Sequence, residues 1–119
     1  MFINISNHRL NIWSEKQIKA AKLYGNIVDM PFPEISPITT NDEMERLVDE
    51  YEKKIIAYKN PIVLVQGEFV FTYRLVTRLK KRGIKVVSAC SRRIATEEIS
   101  KTGEYVKKAG FEFSEFREF

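Results

Sequence analysis

The feature that most constrains this chain is the run Ile62-Val63-Leu64-Val65. Four consecutive aliphatic residues leave no polar side to face water. A strand that reads this way is buried on both faces, as happens when helices cover both sides of a parallel sheet. Pro61 precedes the run and Gln66-Gly67-Glu68 follows it, so the strand is short and passes directly into the next element. Parallel neighbours need long crossover connections, usually helical, and the rest of the chain supplies them. Phe2 to Ser6 alternates apolar and polar residues and reads as a first strand. Ser14 and Gln17 form a capping box, with Trp13 and Ile18 at the staple positions around it; they predict a helix from Glu15 to Tyr24, which Gly25 stops. Ile27 to Met30 is a short second strand, closed by Pro31 and Pro33 at the start of a loop that reaches Thr40. Thr40 and Glu43 make a second capping box, after which Met44, Leu47, Val48, Tyr51, Ile55 and Tyr58 recur at helical spacing. Beyond the aliphatic strand a third helix is expected, with Tyr73, Val76 and Leu79 on its apolar side, Leu75 adjoining and Gly83 as its stop. Ile84 to Ser88 is a fourth strand, and Ala89-Cys90-Ser91 leads out of it.

Strands and helices thus alternate, which implies right-handed crossovers and a parallel sheet. The expected fold is α/β: one Rossmann-like, three-layer domain over residues 1–119, with strands in flavodoxin-like order and a C-terminal β-hairpin at the sheet edge. The hairpin is read from Lys101-Thr102-Gly103, a turn between two strand-like arms, the second of which holds Tyr105, Val106, Phe111, Phe113, Phe116 and Phe119. Four phenylalanines in the nine residues from Phe111 need a cover. The domain's own helices or a second copy of the chain can supply it, and a homodimer is expected.

Composition narrows the function. The net charge is +4 on 119 residues, too small for a general duplex nucleic-acid binder and better matched to a compact phosphate-bearing ligand. No stretch of about 18 apolar residues and no basic-then-apolar leader is present, so a cytoplasmic protein without a membrane span is expected. A single cysteine and a single histidine argue against a disulfide framework, a metal centre or a Ser-His-Asp hydrolase, and no cofactor is implied. The charge is unevenly placed. Asp42 to Glu52 carries six acids and one base, while Thr72 to Arg93 carries eight bases and no acid. Two solvated helix faces would explain this, as would a positive field for a polyanion.

In a sheet of flavodoxin-like order, ligands bind beyond the carboxyl ends of the strands at the switch point. Ser6, Asn7 and His8 follow the first strand, Gln66, Gly67 and Glu68 the third, and Cys90, Ser91, Arg92 and Arg93 the fourth. These are expected to meet at one crevice. His8 is a candidate acid or base, because histidine exchanges protons near neutral pH; a hydrogen-bonding loop residue is the plainer reading. Gly67 lets a ligand approach the backbone at a helix N-terminus, or simply makes a tight turn. Glu68 orients His8 or a hydroxyl, or serves as an acid in a first helical turn. Arg92 and Arg93 clamp phosphate, or are solvated. Ser91 donates to a phosphate oxygen, or bonds its own turn. Cys90 reads as a small apolar residue rather than a nucleophile.

The segments FINISNH, VLVQGEFVFTYRLV and VVSACSRR, set in this architecture, resemble the small stand-alone CRISPR-associated Rossmann-fold (CARF-like) proteins, and among them the ring nucleases. The resemblance implies a homodimer that binds a cyclic oligoadenylate, the second messenger of type III CRISPR defence. It further implies metal-independent cleavage, in which a ribose 2′-hydroxyl attacks the neighbouring phosphate and leaves a 2′,3′-cyclic phosphate. Under it, His8, Glu68 and Arg93 are the candidate catalytic residues, and Ser6, Asn7, Gln66, Gly67, Ser91 and Arg92 bind the ligand. The absence of a fused effector favours a ring nuclease over a sensor. A non-catalytic nucleotide-binding sensor or sequestering module, and a dimerising interaction protein, remain alternatives.

Overall fold

The computed structural model describes the backbone throughout and the side chains of residues 1–95, 97, 99–105 and 110–119. The elements are β1 (Phe2–Ser6), α1 (Glu15–Lys22), β2 (Ile27–Asp29), α2 (Asn41–Ile56), β3 (Ile62–Gln66), α3 (Phe69–Lys81), β4 (Lys85–Ile99) and β5 (Tyr105–Glu118), with a 3-10 turn at Leu10–Ile12. They form one five-stranded sheet in the order β2-β1-β3-β4-β5, parallel except for the last pair. This is the Rossmann-like, flavodoxin-like arrangement with a hairpin at the edge.

Local chemistry sets the boundaries. The Ser14 hydroxyl accepts from the Gln17 amide and the Thr40 hydroxyl from the Glu43 amide, capping α1 and α2. Gly83 takes a positive φ of 76° just past α3, a conformation that costs glycine little.

Both faces of the central strands are buried, and alternation divides them between two cores. Ile3 and Ile5 of β1, Val63 and Val65 of β3, and Val86 of β4 pack under α2 and α3 against Met44, Val48, Phe71 and Leu75. Phe2, Leu64 and Val87 face the other way, toward Trp13, Ala21 and Ile18 of the α1 layer. Phe116 on β5 reaches back to this second core, 5.0 Å from the Phe2 ring centre.

Three sequence expectations change. The buried face of α3 is Phe71, Leu75, Val76 and Leu79, whereas Tyr73 is 73% exposed. Tyr73 shares its side of the helix with Val76, but only Val76 lies deep enough to meet the sheet. The fourth strand does not end at Ser88. It continues to Ile99 as one arm of the hairpin, so Ser91, Arg92 and Arg93 are strand residues rather than a loop at a strand end. The cause is antiparallel pairing to β5, which continues after the parallel pairing to β3 stops at Leu64↔Val87. Finally, the phenylalanines have different fates: Phe113 is buried and Phe116 half-buried, but Phe111 and Phe119 are exposed. Val106 lies outside the described side chains.

The two charged stretches meet where α2 and α3 pack together. Arg74 pairs with Glu45 at 3.0 Å and Arg82 with Glu52 at 2.8 Å, while Arg78 sits among Glu45, Asp49 and Glu52. Helical spacing puts the acids of α2 and the bases of α3 on facing stripes. Three of the six acids and three of the eight bases thus offset one another within the chain, and α3 offers a ligand less positive field than its composition implies. The Arg78 guanidinium is held above its ordinary range, first by its hydrogen bond to Asp49.

Candidate functional site at the carboxyl ends of the parallel strands

The loop after β1 is built around a polar residue that sequence reasoning passed over. Asn4 is only 2% exposed, at a β1 position that points toward the α1 layer. Its amide nitrogen donates to the His8 carbonyl and to Asp29 Oδ1, both at 2.8 Å. Its carbonyl oxygen accepts from the Ser6 hydroxyl at 2.7 Å. The His8 carbonyl also accepts from Trp13 Nε1 at 3.0 Å, and the Asp29 carboxylate accepts from the Leu10 amide. A buried polar group requires such partners, and here each of them secures the turn from β1 toward α1. This turn holds the His8 backbone while its imidazole remains exposed.

Beyond the strand ends, on the α1 side, lies a hollow of about 590 Å³. Ser6, His8, Gln66 and Ser91 line it, together with Trp13 and Phe111. It thus gathers one expected residue from β1, its loop, β3 and β4. Gln66 also ties two strands together. Its Oε1 accepts from the Ala89 amide at 3.0 Å, joining β3 to β4 where their main-chain pairing has ended.

The remaining candidates lie elsewhere. Asn7 and Glu68 line a separate hollow with Phe32, Pro33, Glu34, Ile35 and Ser36. The expected single crevice is therefore two, and the loop from β2 to α2 forms the second. Both Glu68 carboxylate oxygens are occupied, accepting from the Val70 and Phe71 amides at 3.0 and 2.8 Å. Glu68 is the N-cap of α3. The space beside Gly67 is filled by the protein itself, since a Cβ there would lie 2.5 Å from the Phe32 ring. Glycine is needed at that position for packing. Arg92 and Arg93 stand on the arm, on opposite faces of β4. Arg92 is paired with Glu112 of β5 at 3.1 Å. Arg93 lies across from Phe111, which lines the first hollow. Cys90 is half-buried.

In the sequence Asn4 reads only as a polar position of the alternating first strand, and Asp29 as a polar residue within the second. Nothing in the sequence pairs them. Trp13, a staple residue by its place before the Ser14 cap, does lie in the core, yet its ring also forms part of the hollow's wall. Among the described residues, no helix is long and apolar enough to cross a membrane.

Residues 1–117 match the family model described as "Uncharacterized protein MJ1673 family", and the chain belongs to that family. No curated protein and no solved structure matches it.

Proposed function

We propose that this member of the MJ1673 family binds a cyclic oligoadenylate in the α1-side hollow and cleaves it as a metal-independent ring nuclease. The observation that carries the reading is the hollow's position and lining. It lies at the switch point of a doubly wound sheet, where ligands of such folds bind. It joins hydroxyl, amide and imidazole groups to the aromatic side chains of Trp13, Phe111 and Phe113, a combination suited to phosphate, ribose and base. In the reaction, a ribose 2′-oxygen bonds to the adjacent phosphorus as the P–O5′ bond breaks. The 2′-hydroxyl proton is taken up and the departing 5′-oxygen receives one, leaving a 2′,3′-cyclic phosphate. His8 is the group in the hollow suited to move these protons, while Ser6, Gln66 and Ser91 orient the ring by hydrogen bonds. Arg93, on the Phe111 side of the arm, supplies positive charge near the mouth. Glu68 is assigned to capping, and Asn7, Gly67 and Arg92 to the surroundings of the site.

A second reading is binding without cleavage. It is favoured by the occupied Glu68 carboxylate, which leaves His8 without a carboxylate partner among the expected residues. Incubation with cyclic tetra- and hexaadenylate in EDTA separates the two. Cleavage to 2′,3′-cyclic phosphate products is expected, and His8→Ala should slow it by about 10²–10⁴-fold while binding persists. Binding without products leaves the sensing or sequestering reading. Absence of binding rejects both.

A further inference from the structure

The helical layer formed by α2 and α3 stops one helix short of the sheet it covers. These two helices lie on one face and α1 on the other. The step from β3 through α3 to β4 moves outward across the sheet. A further right-handed crossover to a parallel fifth strand would set another helix beside α3 on the same face. The chain instead turns back, and β5 joins β4 antiparallel. A helix is about 10 Å across and strands lie about 4.8 Å apart, so one helix covers two strands. The place beside α3, toward β5, is left without one.

A groove of about 810 Å³ occupies that place. Phe69, Tyr73, Val76 and Lys80 of α3 form one wall, and Phe119 the other. Two bonds seat Phe119: its amide donates to the Val86 carbonyl at 2.9 Å, and its carbonyl accepts from Lys80 Nζ at 2.7 Å. Helical periodicity sets this wall on the side of α3 opposite to Arg74, Arg78 and Arg82, which meet α2. Phe69 and Tyr73 are 90% and 73% exposed. Among the described residues no acid lines the groove, while Lys80 and Lys81 stand at one end. Glu68, next to Phe69 at the other end, is turned onto the Val70 and Phe71 amides. Alternation from Val86 brings Arg117 and Glu115 of β5 to the same face of the sheet, but these pair with each other at 3.6 Å. Farther along the arm, Arg92 and Glu112 also pair. The charge left over at the groove is therefore positive.

We propose that an amphipathic helix of another protein docks in this groove, its apolar stripe against Phe69, Tyr73 and Phe119 and its acidic residues over Lys80 and Lys81. The architecture selects a helix, because the open place is a position in a helical layer, with a helix beside it and a sheet beneath. The wall from Phe69 to Lys81 runs roughly 18 Å, about three helical turns. Rings as exposed as Phe69 and Tyr73 leave an acyl chain or small ligand largely in water, whereas such ligands are held in sites that enclose them. The two lysines select an acidic partner. A second copy of this chain has no helix of that kind to offer: α1 carries one acid and three bases, and the apolar stripe of α2 is buried in its own core. The groove lies on the opposite face of the sheet from the α1-side hollow, so the inference does not rest on the nuclease reading.

Fluorescence anisotropy with two synthetic peptides of about 16 residues tests it. Both carry leucines at helical spacing; glutamates flank the apolar stripe in one and lysines in the other. The acidic peptide should bind the parent roughly 10-fold tighter than the basic one, or more. Tyr73→Ser should weaken its binding by roughly 10-fold or more, and Lys81→Glu should reduce the preference for acid. Both positions are exposed, and circular dichroism matching the parent would show that the variants remain folded. Equal binding of the two peptides, no loss in Tyr73→Ser or an unchanged preference in Lys81→Glu would each overturn the proposal. Undiminished binding of an acidic peptide whose helix is broken by a central proline would do the same. Absence of peptide binding would also overturn it, and Tyr73-dependent binding to phosphatidylglycerol vesicles in that case would assign the groove to a lipid surface instead.

Discussion

Replacing Asn4 by Ala tests whether the buried amide holds the candidate site together. Three hydrogen bonds disappear: those to the His8 carbonyl, to the Asp29 carboxylate and from the Ser6 hydroxyl. Two neutral bonds contribute about 1 kcal/mol each and one to a charged group about 1.5–3 kcal/mol. The full sum is not expected, because the partners keep other contacts. The His8 carbonyl retains Trp13 Nε1 and the Asp29 carboxylate retains the Leu10 amide. A loss of about 2–4 kcal/mol is therefore predicted, measured by urea unfolding as a lower midpoint at an unchanged slope. Asn4→Asp sharpens the test. It keeps an acceptor for Ser6 but sets a second carboxylate beside Asp29. Like charges at this distance raise the proton affinity of the pair in the folded state. The folded protein then binds more protons than the unfolded chain, so stability falls as pH rises and is regained as pH is lowered. At pH 7 Asn4→Asp should be less stable than Asn4→Ala, with the gap narrowing toward acid pH. A loss below roughly 0.5 kcal/mol for Asn4→Ala, or a gap that does not change with pH, would refute the account of this network.

Two further outcomes concern Gly67 and Arg78. Gly67→Ala should destabilise by about 1–3 kcal/mol, because its Cβ would meet the Phe32 ring at 2.5 Å. Combining it with Phe32→Leu should cost less than the sum of the two single changes, and strict additivity in urea unfolding would count against the clash. Arg78→Met should cost about 1–2 kcal/mol, since it removes the centre of a network that joins Glu45, Asp49 and Glu52. The deficit should shrink at molar salt, and a deficit indifferent to salt would mean that Arg78 contributes by packing rather than charge.

Much of this fold can be read directly from local pattern. The aliphatic run of β3 demands burial on both faces, and the paired capping boxes at Ser14 and Thr40 mark two helix starts that the structure reproduces. These signals are local: a cap or an alternation is complete within a few residues, so no distant partner is needed to interpret it. The strand order is an assumption when drawn from the connections alone, and the sheet has that order.

What only the tertiary structure decided is where distant groups meet. The acids of α2 and the bases of α3 are each visible in the sequence, but their mutual neutralisation depends on two helices lying side by side. Glu68 reads either as orienting His8 or as an acid in a first helical turn, and only the fold shows its carboxylate accepting from the amides of Val70 and Phe71. Gly67 reads as open to a ligand until Phe32, from a loop 35 residues earlier in the chain, is found against it. The length of β4 follows from its antiparallel partner, because the last backbone groups of an extended segment become strand only when another strand bonds to them. Local pattern in the chain therefore determined which elements form and where most of them begin, but neither their arrangement in the sheet nor the extent of β4. Which side chains remain available for chemistry was settled by contacts between segments far apart in the chain, since a hydrogen bond or a steric contact belongs to a pair of residues and neither one specifies it alone.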